Sequence, residues 1–299
     1  MPLKLLPSCV LNQICNLQFF NLQSLTMDIL TALPAILFVF ILGASVGSFL
    51  NVVAYRVPAG LSLLFPPSRC PQCLNQLKAY DNVPIFGWLH LKGRCRYCKS
   101  SISVRYPIVE AATSILFLLV FWQFGYTPQT LGYWAFLSWL LALSLIDLDT
   151  MTLPNSLTES GLVLGLVFQG VVGFLANNST AGVANQLMAG VVGAVLGIWL
   201  FDAIILAGSM VYGQTAMGGG DAKLAAMMGA WLGWKYLLLA GFLACAVGAL
   251  VGSVAIALGL LSRRQPMPFG PFLALGAGVT VFLGEAILST YLKLFFPLA

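Results

Sequence analysis

Residues 28–55, DILTALPAILFVFILGASVGSFLNVVAY, carry no charge after Asp28. At 1.5 Å per residue, a helix of this length crosses the roughly 30 Å hydrocarbon core of a bilayer. Directly behind it, eight of the 14 basic residues crowd into positions 56–105: Arg56, Arg69, Lys78, Lys92, Arg94, Arg96, Lys99 and Arg105. An apolar run followed by a basic loop reads as a first transmembrane helix entering the cytoplasm, because Lys and Arg near span ends stay inside. The composition agrees: 60% of the residues are hydrophobic and 8% charged, against about 25% charged in a soluble domain. Water-soluble, disordered and disulfide-scaffold folds are thereby excluded, and no nucleic-acid partner is expected.

Further apolar spans follow near Pro107–Phe124, Leu131–Ile146, Leu157–Leu175 and Asn185–Val211. Ala222–Leu261, interrupted at Trp234-Lys235, can hold one helix or two, the first of them short. Two helices leave Arg263 and Arg264 inside, where basic residues belong. With a last span at Phe272–Phe295, the expected fold is an all-α polytopic membrane protein of about eight helices, both termini outside. Lipid permits no other architecture for such long apolar runs, since the backbone must satisfy itself. The divisions are an N-terminal extension over 1–26, a first span over 27–55, a cytoplasmic loop over 56–106 and a seven-helix membrane domain over 107–299. The extension holds one basic residue, Lys4, and lacks a signal peptide's charged start and cleavage site. It reads as loosely ordered, or as a start placed ahead of the biological one at Met27. Small-xxx-small spacings, Gly43/Gly47 and Gly190/Gly193/Gly197, point to close helix packing.

Four of seven cysteines form Cys70-Pro-Gln-Cys73 and Cys95-Arg-Tyr-Cys98 within the loop. Two such pairs in a reducing compartment match a tetrahedral four-thiolate zinc site, with a rubredoxin-like iron site as the alternative. A closed shell has no position for substrate, so the metal organises a loop too small to build a core. Cys9, Cys15 and Cys245 lack partner spacing and read as apolar fillers. His90 is the only histidine, which excludes a Ser-His-Asp or Cys-His arrangement within the membrane.

The membrane-edge acids remain: Glu110, Asp147, Asp149, Asp202, Asp221 and Glu285. Each is a functional candidate by its rarity there. On the eight-helix topology Asp147, at the end of the third span, and Asp221, in Gly218-Gly-Gly-Asp221, reach the same membrane face. Paired aspartates without a nucleophile suggest aspartyl-protease chemistry, in which the pair shares a proton, one acid activating water and the other donating to the carbonyl. The competing reading is a carrier or scaffold whose acids line a cation path or cap helices. Asp202 and Glu285, placed deeper or near the far side, read as packing or polar-pair residues.

Four blocks, in order, resemble the type IV prepilin peptidases, bifunctional leader peptidase/N-methyltransferases of the bacterial inner membrane. They are Gly47-Ser-Phe-Leu-Asn-Val-Val-Ala-Tyr-Arg56-Val-Pro58; the segment from Pro67-Ser-Arg-Cys70 through Asp81-Asn-Val-Pro84 to Arg105-Tyr-Pro-Ile-Val-Glu110; Asp147 with Pro154; and Gly218-Gly-Gly-Asp221-Ala-Lys223. One departure is Phe86-Gly87-Trp88, where the family leads one to expect a small polar residue before the tryptophan. The resemblance implies Asp147 and Asp221 as the catalytic pair, with Asp149 a supporting or alternative acid. It also implies supporting places for Gly218, Gly220 and Lys223. It further implies leader cleavage of prepilins and pseudopilins at the cytoplasmic face. Methylation of the new N-terminus from S-adenosylmethionine follows, an activity the family places with the zinc loop and opening motif. No Rossmann-like glycine fingerprint marks a site for that cofactor. Glu110 is a candidate partner for the substrate amine, or a salt-bridge partner of Arg105 or Arg56. The oligomeric state is not legible in the sequence.

Overall fold

The computed structural model describes residues 22–177, 179–212, 218–260, 262 and 267–295. Among them the α-helices are α1 (Leu22–Arg56), α2 (Phe86–His90), α3 (Arg105–Phe124), α4 (Pro128–Thr150), α5 (Asn155–Asn177), α6 (Thr180–Tyr212), α7 (Gly219–Ala257) and α8 (Gly270–Phe295). Seven of them are long and apolar enough to cross a membrane, and the short α2 belongs to the loop between α1 and α3. Residues 1–21 of the expected extension, with Cys9 and Cys15, lie outside the described residues; α1 already begins at Leu22. The helices overrun the expected spans by a few residues because helical backbone continues through the polar interface after the hydrocarbon has ended. Local chemistry sets the ends: Pro128 opens α4 at a position where its missing N–H costs nothing. Met151 closes α4 in the left-handed conformation, its N–H donating to Asp147 O at 2.8 Å.

The 39-residue α7 is two limbs, 219–232 and 234–257, joined at Gly233, whose φ of 75° and ψ of 169° no helix contains. Its neighbours show that the limbs run in opposite directions. In the first limb, Ala225 lies against Gly197 and Gly229 against Gly193, antiparallel to α6. In the second, Tyr236 lies against Gly284, Ala240 against Gly276 and Gly248 against Phe272, antiparallel to α8. The starts of α7 and α8 both lie beside the end of α4, so the second limb returns to that end. The seven long helices therefore form eight helical segments, matching the number of helices expected from sequence, with the break one residue before Trp234-Lys235. The first limb is short, about 21 Å. Its break is buried in protein, where interrupted backbone is tolerated within a bilayer. Gln169 Nε2 donates to Trp231 O at 2.9 Å, satisfying a carbonyl next to the break.

Glycines set the helix spacing. A Cβ at Gly43 would stand 2.7 Å from Ser114 Cα, and one at Gly47 would stand 2.7 Å from Glu110 Cα, so α1 and α3 touch backbone to backbone. The packing core lies between α4 and the first limb of α7, where Phe136, Leu140, Leu143, Leu224, Met227 and Met228 are buried together. The two segments that meet in this core are thus the ones carrying Asp147 and Asp221.

Candidate active site and metal centre

The loop between α1 and α3 contains two copies of one turn. In the first, Cys70 N–H donates to Asn75 O and Leu74 N–H to Cys70 O, both at 2.9 Å. In the second, Cys95 N–H donates to Ser100 O at 2.8 Å and Lys99 N–H to Cys95 O at 3.1 Å. Leu74 and Lys99, each following the second cysteine of its pair, share a left-handed φ of 57° and 60°. The turns face each other so that all four sulfurs lie within 4.8 Å of one another, with Cys70 Sγ 3.7 Å from Cys98 Sγ and Cys73 Sγ 3.9 Å from Cys95 Sγ. A tetrahedral ion with Zn–S bonds of 2.3 Å places its sulfurs about 3.8 Å apart. The cluster fits that shell. Backbone N–H groups of Cys73 and Gln72 bring the Cys70 thiol down to about 6, while Cys73, despite the Asn75 N–H, is pushed up to about 11 by burial and the three neighbouring sulfurs, so the crowded thiols share their charge unequally. Cys245 is exposed and stands apart from the cluster.

A half-buried ion pair ties the rest of the loop to this centre. Arg96, inside the second turn, donates from Nε to both Asp81 oxygens at 3.0 Å and from Nη2 to Oδ1 at 2.5 Å. Hydrogen bonds from Arg96 hold the Asp81 carboxyl below its ordinary range. Gly87, the residue before the loop tryptophan, is buried against the Asp81 carbonyl, and a Cβ there would run into it. Glycine at the position that departs from the family pattern is therefore explained by packing. His90 is exposed at the end of α2.

Glu110 fastens the loop to the membrane helices. Its Oε2 accepts the Ile85 N–H at 2.6 Å. Ile85 adopts φ 63° and ψ −57°, and Phe86 N–H donates to Pro84 O at 2.6 Å. This is a γ-turn of the rarer hand, strained for a β-branched residue. The sequence carried no signal for it, since isoleucine is among the last residues one would place there. Neither basic residue considered for Glu110 pairs with it. Arg105 Nη1 binds both oxygens of Asp149, at 2.6 and 2.7 Å, and Arg56 binds the carbonyls of Ser62, Leu63 and Pro66.

Asp147 and Asp221 meet at one end of the bundle. Asp147 lies one turn before the end of α4 and is 5% exposed; Asp221 lies in the first turn of α7 and is 7% exposed. The chain after Asp147 turns at Leu153–Asn155 and packs on the start of α7. A Cβ at Gly220 would stand 3.0 Å from Leu153 Cβ, and Lys223 Nζ donates to Asn155 Oδ1 at 2.7 Å. Lys223 is thus bound to Asn155, and Gly218 provides the extended residue ahead of α7, its carbonyl accepting the Asp221 N–H at 3.1 Å.

Gly270, not singled out from the sequence, completes the site. As the first residue of α8 it donates its N–H to Asp147 Oδ2 at 2.9 Å. A helix N-terminus thereby holds an anion, offsetting the unfavourable place of an acid in the last turn of α4. A Cβ on Gly270 would stand 2.7 Å from the same oxygen. The flanking prolines, Pro268 and Pro271, are the usual signature of a helix start and were the available clue. Glu285 lies at the opposite end, bonded by Tyr236. Asp202 is exposed on α6 and, in the register of Gly197 with Ala225, lies level with the start of α7 rather than deeper.

Comparison with known proteins covers both halves of this arrangement. Residues 41–124 match the bacterial peptidase A24 N-terminal domain and residues 134–253 the type IV leader peptidase family. The first region contains the cysteine loop and Glu110, the second both aspartates. A prepilin leader peptidase/N-methyltransferase of Stutzerimonas stutzeri is 38% identical over 285 residues, covering 87% of this chain and 95% of the relative. A protein of the same name from Pseudomonas aeruginosa is 36% identical over 293 residues, covering 89% and 97%. One from Legionella pneumophila is 35% identical over 272 residues, covering 83% and 91%. No solved structure matches. With this identity across nearly the full length of each relative, the chain belongs to the type IV prepilin leader peptidase/N-methyltransferase family.

Proposed function

We propose that this protein cleaves the leader from type IV prepilins and pseudopilins at the cytoplasmic face of the bacterial inner membrane, and N-methylates the residue exposed by the cut. The observation that carries the proposal is the pair of buried aspartates at one end of the bundle, Asp147 oriented by the Gly270 N–H. Between them the carboxylates hold one proton. The ionised member draws a proton from water as it attacks the scissile carbonyl, and the protonated member donates its proton to that oxygen; as the C–N bond breaks, the proton taken from water passes to the leaving amine and the second member recovers its own from the gem-diol. The basic loop between α1 and α3 supports a cytoplasmic placement.

Zinc, held by Cys70, Cys73, Cys95 and Cys98, supplies a crosslink that keeps the two turns together. S-adenosylmethionine, when bound, supplies the methyl group. Glu110, buried at the joint of loop and membrane and without a basic partner among the described residues, is suited to hold the substrate's α-ammonium beside the loop. The carrier alternative is weakened by the placement of the acids: they gather at the two ends of the bundle, and no line of them continues through it among the described residues.

The ion pair with Arg105 supports a structural rather than a catalytic place for Asp149. Asp149→Asn should leave cleavage close to parental and cost at most about 1 kcal/mol of stability, as for an exposed pair. A catalytic acid would lose on the order of 10²-fold or more, so a rate assay on this variant separates the two roles. Gly270→Ala should cut cleavage by on the order of 10²-fold, because its methyl displaces the Asp147 carboxylate. Thermal unfolding of the same variant should shift only modestly, by about 1–3 kcal/mol of overpacking. The whole proposal is tested by co-expressing a prepilin with the chain. A faster-migrating pilin is expected; an unprocessed prepilin beside folded, membrane-inserted protein would reject it.

A further inference from the structure

Immediately beyond α1 the chain makes a turn, Gly60-Leu-Ser-Leu-Leu-Phe-Pro-Pro67, whose apolar side chains face outward. Leu64 is 79% exposed and Phe65 74%, with Leu61 and Leu63 also exposed. In a water-facing turn such side chains would be polar. Part of this turn's backbone is satisfied from within. Arg56, the last residue of α1, donates from Nη1 to Ser62 O at 2.9 Å and Leu63 O at 3.3 Å, and from Nη2 to Pro66 O at 2.6 Å. Gly60 N–H donates to Val57 O and Leu61 N–H to Arg56 O, while Leu64 and Phe65 N–H both donate to Ser62 Oγ. Pro66 and Pro67 have no N–H. The N–H groups of Ser62 and Leu63 and the carbonyls of Gly60, Leu61, Leu64, Phe65 and Pro67 have no protein partner among the described residues.

Outward apolar side chains on a turn whose backbone is half paired suit the bilayer interface, where the side chains enter the acyl boundary while the open carbonyls still meet water. Its depth fits. The apolar part of α1 ends at Arg56, and the guanidinium contacts tie the turn back to that residue, so residues 61–65 cannot extend far into water. The surroundings fit as well. Positions 56–105 contain eight basic residues and one acid, Asp81, which Arg96 neutralises. Such a surface is drawn to anionic headgroups.

We propose that Leu61, Leu63, Leu64 and Phe65 form an interfacial anchor that inserts into the anionic leaflet on the side of the loop. Arg56 closes the backbone of the inserted turn. The anchor fixes the height of the cysteine loop, which begins three residues after Pro67, against the membrane end where Asp147 and Asp221 lie. A protein partner is the less favoured occupant, because the turn sits at the membrane end of α1 beside a strongly basic loop, which anionic headgroups match in both depth and charge.

The test uses the full-length protein with an environment-sensitive fluorescent residue replacing Leu64 by stop-codon suppression, reconstituted in phosphatidylglycerol/phosphatidylethanolamine vesicles. The same residue replacing the exposed Lys92 is the aqueous reference. Insertion predicts several-fold weaker quenching by iodide at position 64 than at 92, and several-fold stronger quenching by lipids carrying a nitroxide near the headgroup boundary. Equal iodide quenching at both positions would place the turn in water and overturn the proposal. Protection of position 64 from both quenchers would mean that protein covers it, which also overturns it. Neither position takes part in cleavage, so the outcome is independent of the proposed activity.

Discussion

Asp147→Asn and Asp221→Asn each reduce leader cleavage by on the order of 10³-fold or more, the loss expected when one of two cooperating acid–base groups is removed. Asparagine is nearly isosteric with aspartate, and the amide oxygen introduced by Asp147→Asn could still accept the Gly270 N–H that Asp147 receives at 2.9 Å. Both variants should therefore insert, bind zinc and unfold like the parent. Combining them should be no worse than either alone, because carboxylates acting as a unit are not additive. A time course with purified prepilin in detergent, followed by mobility shift, measures all three. A single variant retaining a rate within an order of magnitude of parental would remove that residue from the chemistry.

Cys95→Ser produces the second large effect. Cys95 is 3% exposed, and the loop around the cluster contains few other buried apolar side chains, so the turns depend on the ion. Structural zinc sites contribute about 10–16 kcal/mol of apparent binding energy to folding, more than the whole stability of a typical domain. Metal analysis should show zinc falling from about one equivalent, as expected for one four-cysteine shell, to near none. Limited proteolysis should then open the chain between the cysteine pairs. Methyl transfer to a pre-cleaved substrate should be lost first, because Ile85 no longer presents its N–H to Glu110. Unchanged zinc content would place the metal elsewhere, and unchanged protease resistance would deny it a structural role.

Much of this was legible in the chain because the bilayer allows few solutions. Apolar runs found the spans within a few residues, and the parity argument from Arg263 and Arg264 required the reversal that Gly233 supplies. Those two arginines lie outside the described residues, yet the chain on either side of them lies at the end of the bundle holding Asp147. The cysteine spacing specified a four-sulfur cluster because two C-x-x-C turns have little else to do in a basic loop. What stayed hidden were residues acting through the backbone. Gly270 works by its N–H and by lacking a Cβ, Gln169 by satisfying the Trp231 carbonyl, and Ile85 by a strained turn against its side chain's preference. None of these leaves a period or a charge to read. The role of Asp149 was likewise open in sequence, where two acids two residues apart are equivalent until Arg105 chooses one.

The most direct measurement sets both reactions against the Asp147→Asn/Asp221→Asn double variant in proteoliposomes, using an intact prepilin and a pre-cleaved one with labelled S-adenosylmethionine. The aspartates are predicted to serve cleavage alone: the variant should release no leader from the intact substrate while labelling the pre-cleaved one at the parental rate. Leader release by the double variant would contradict the account at its centre.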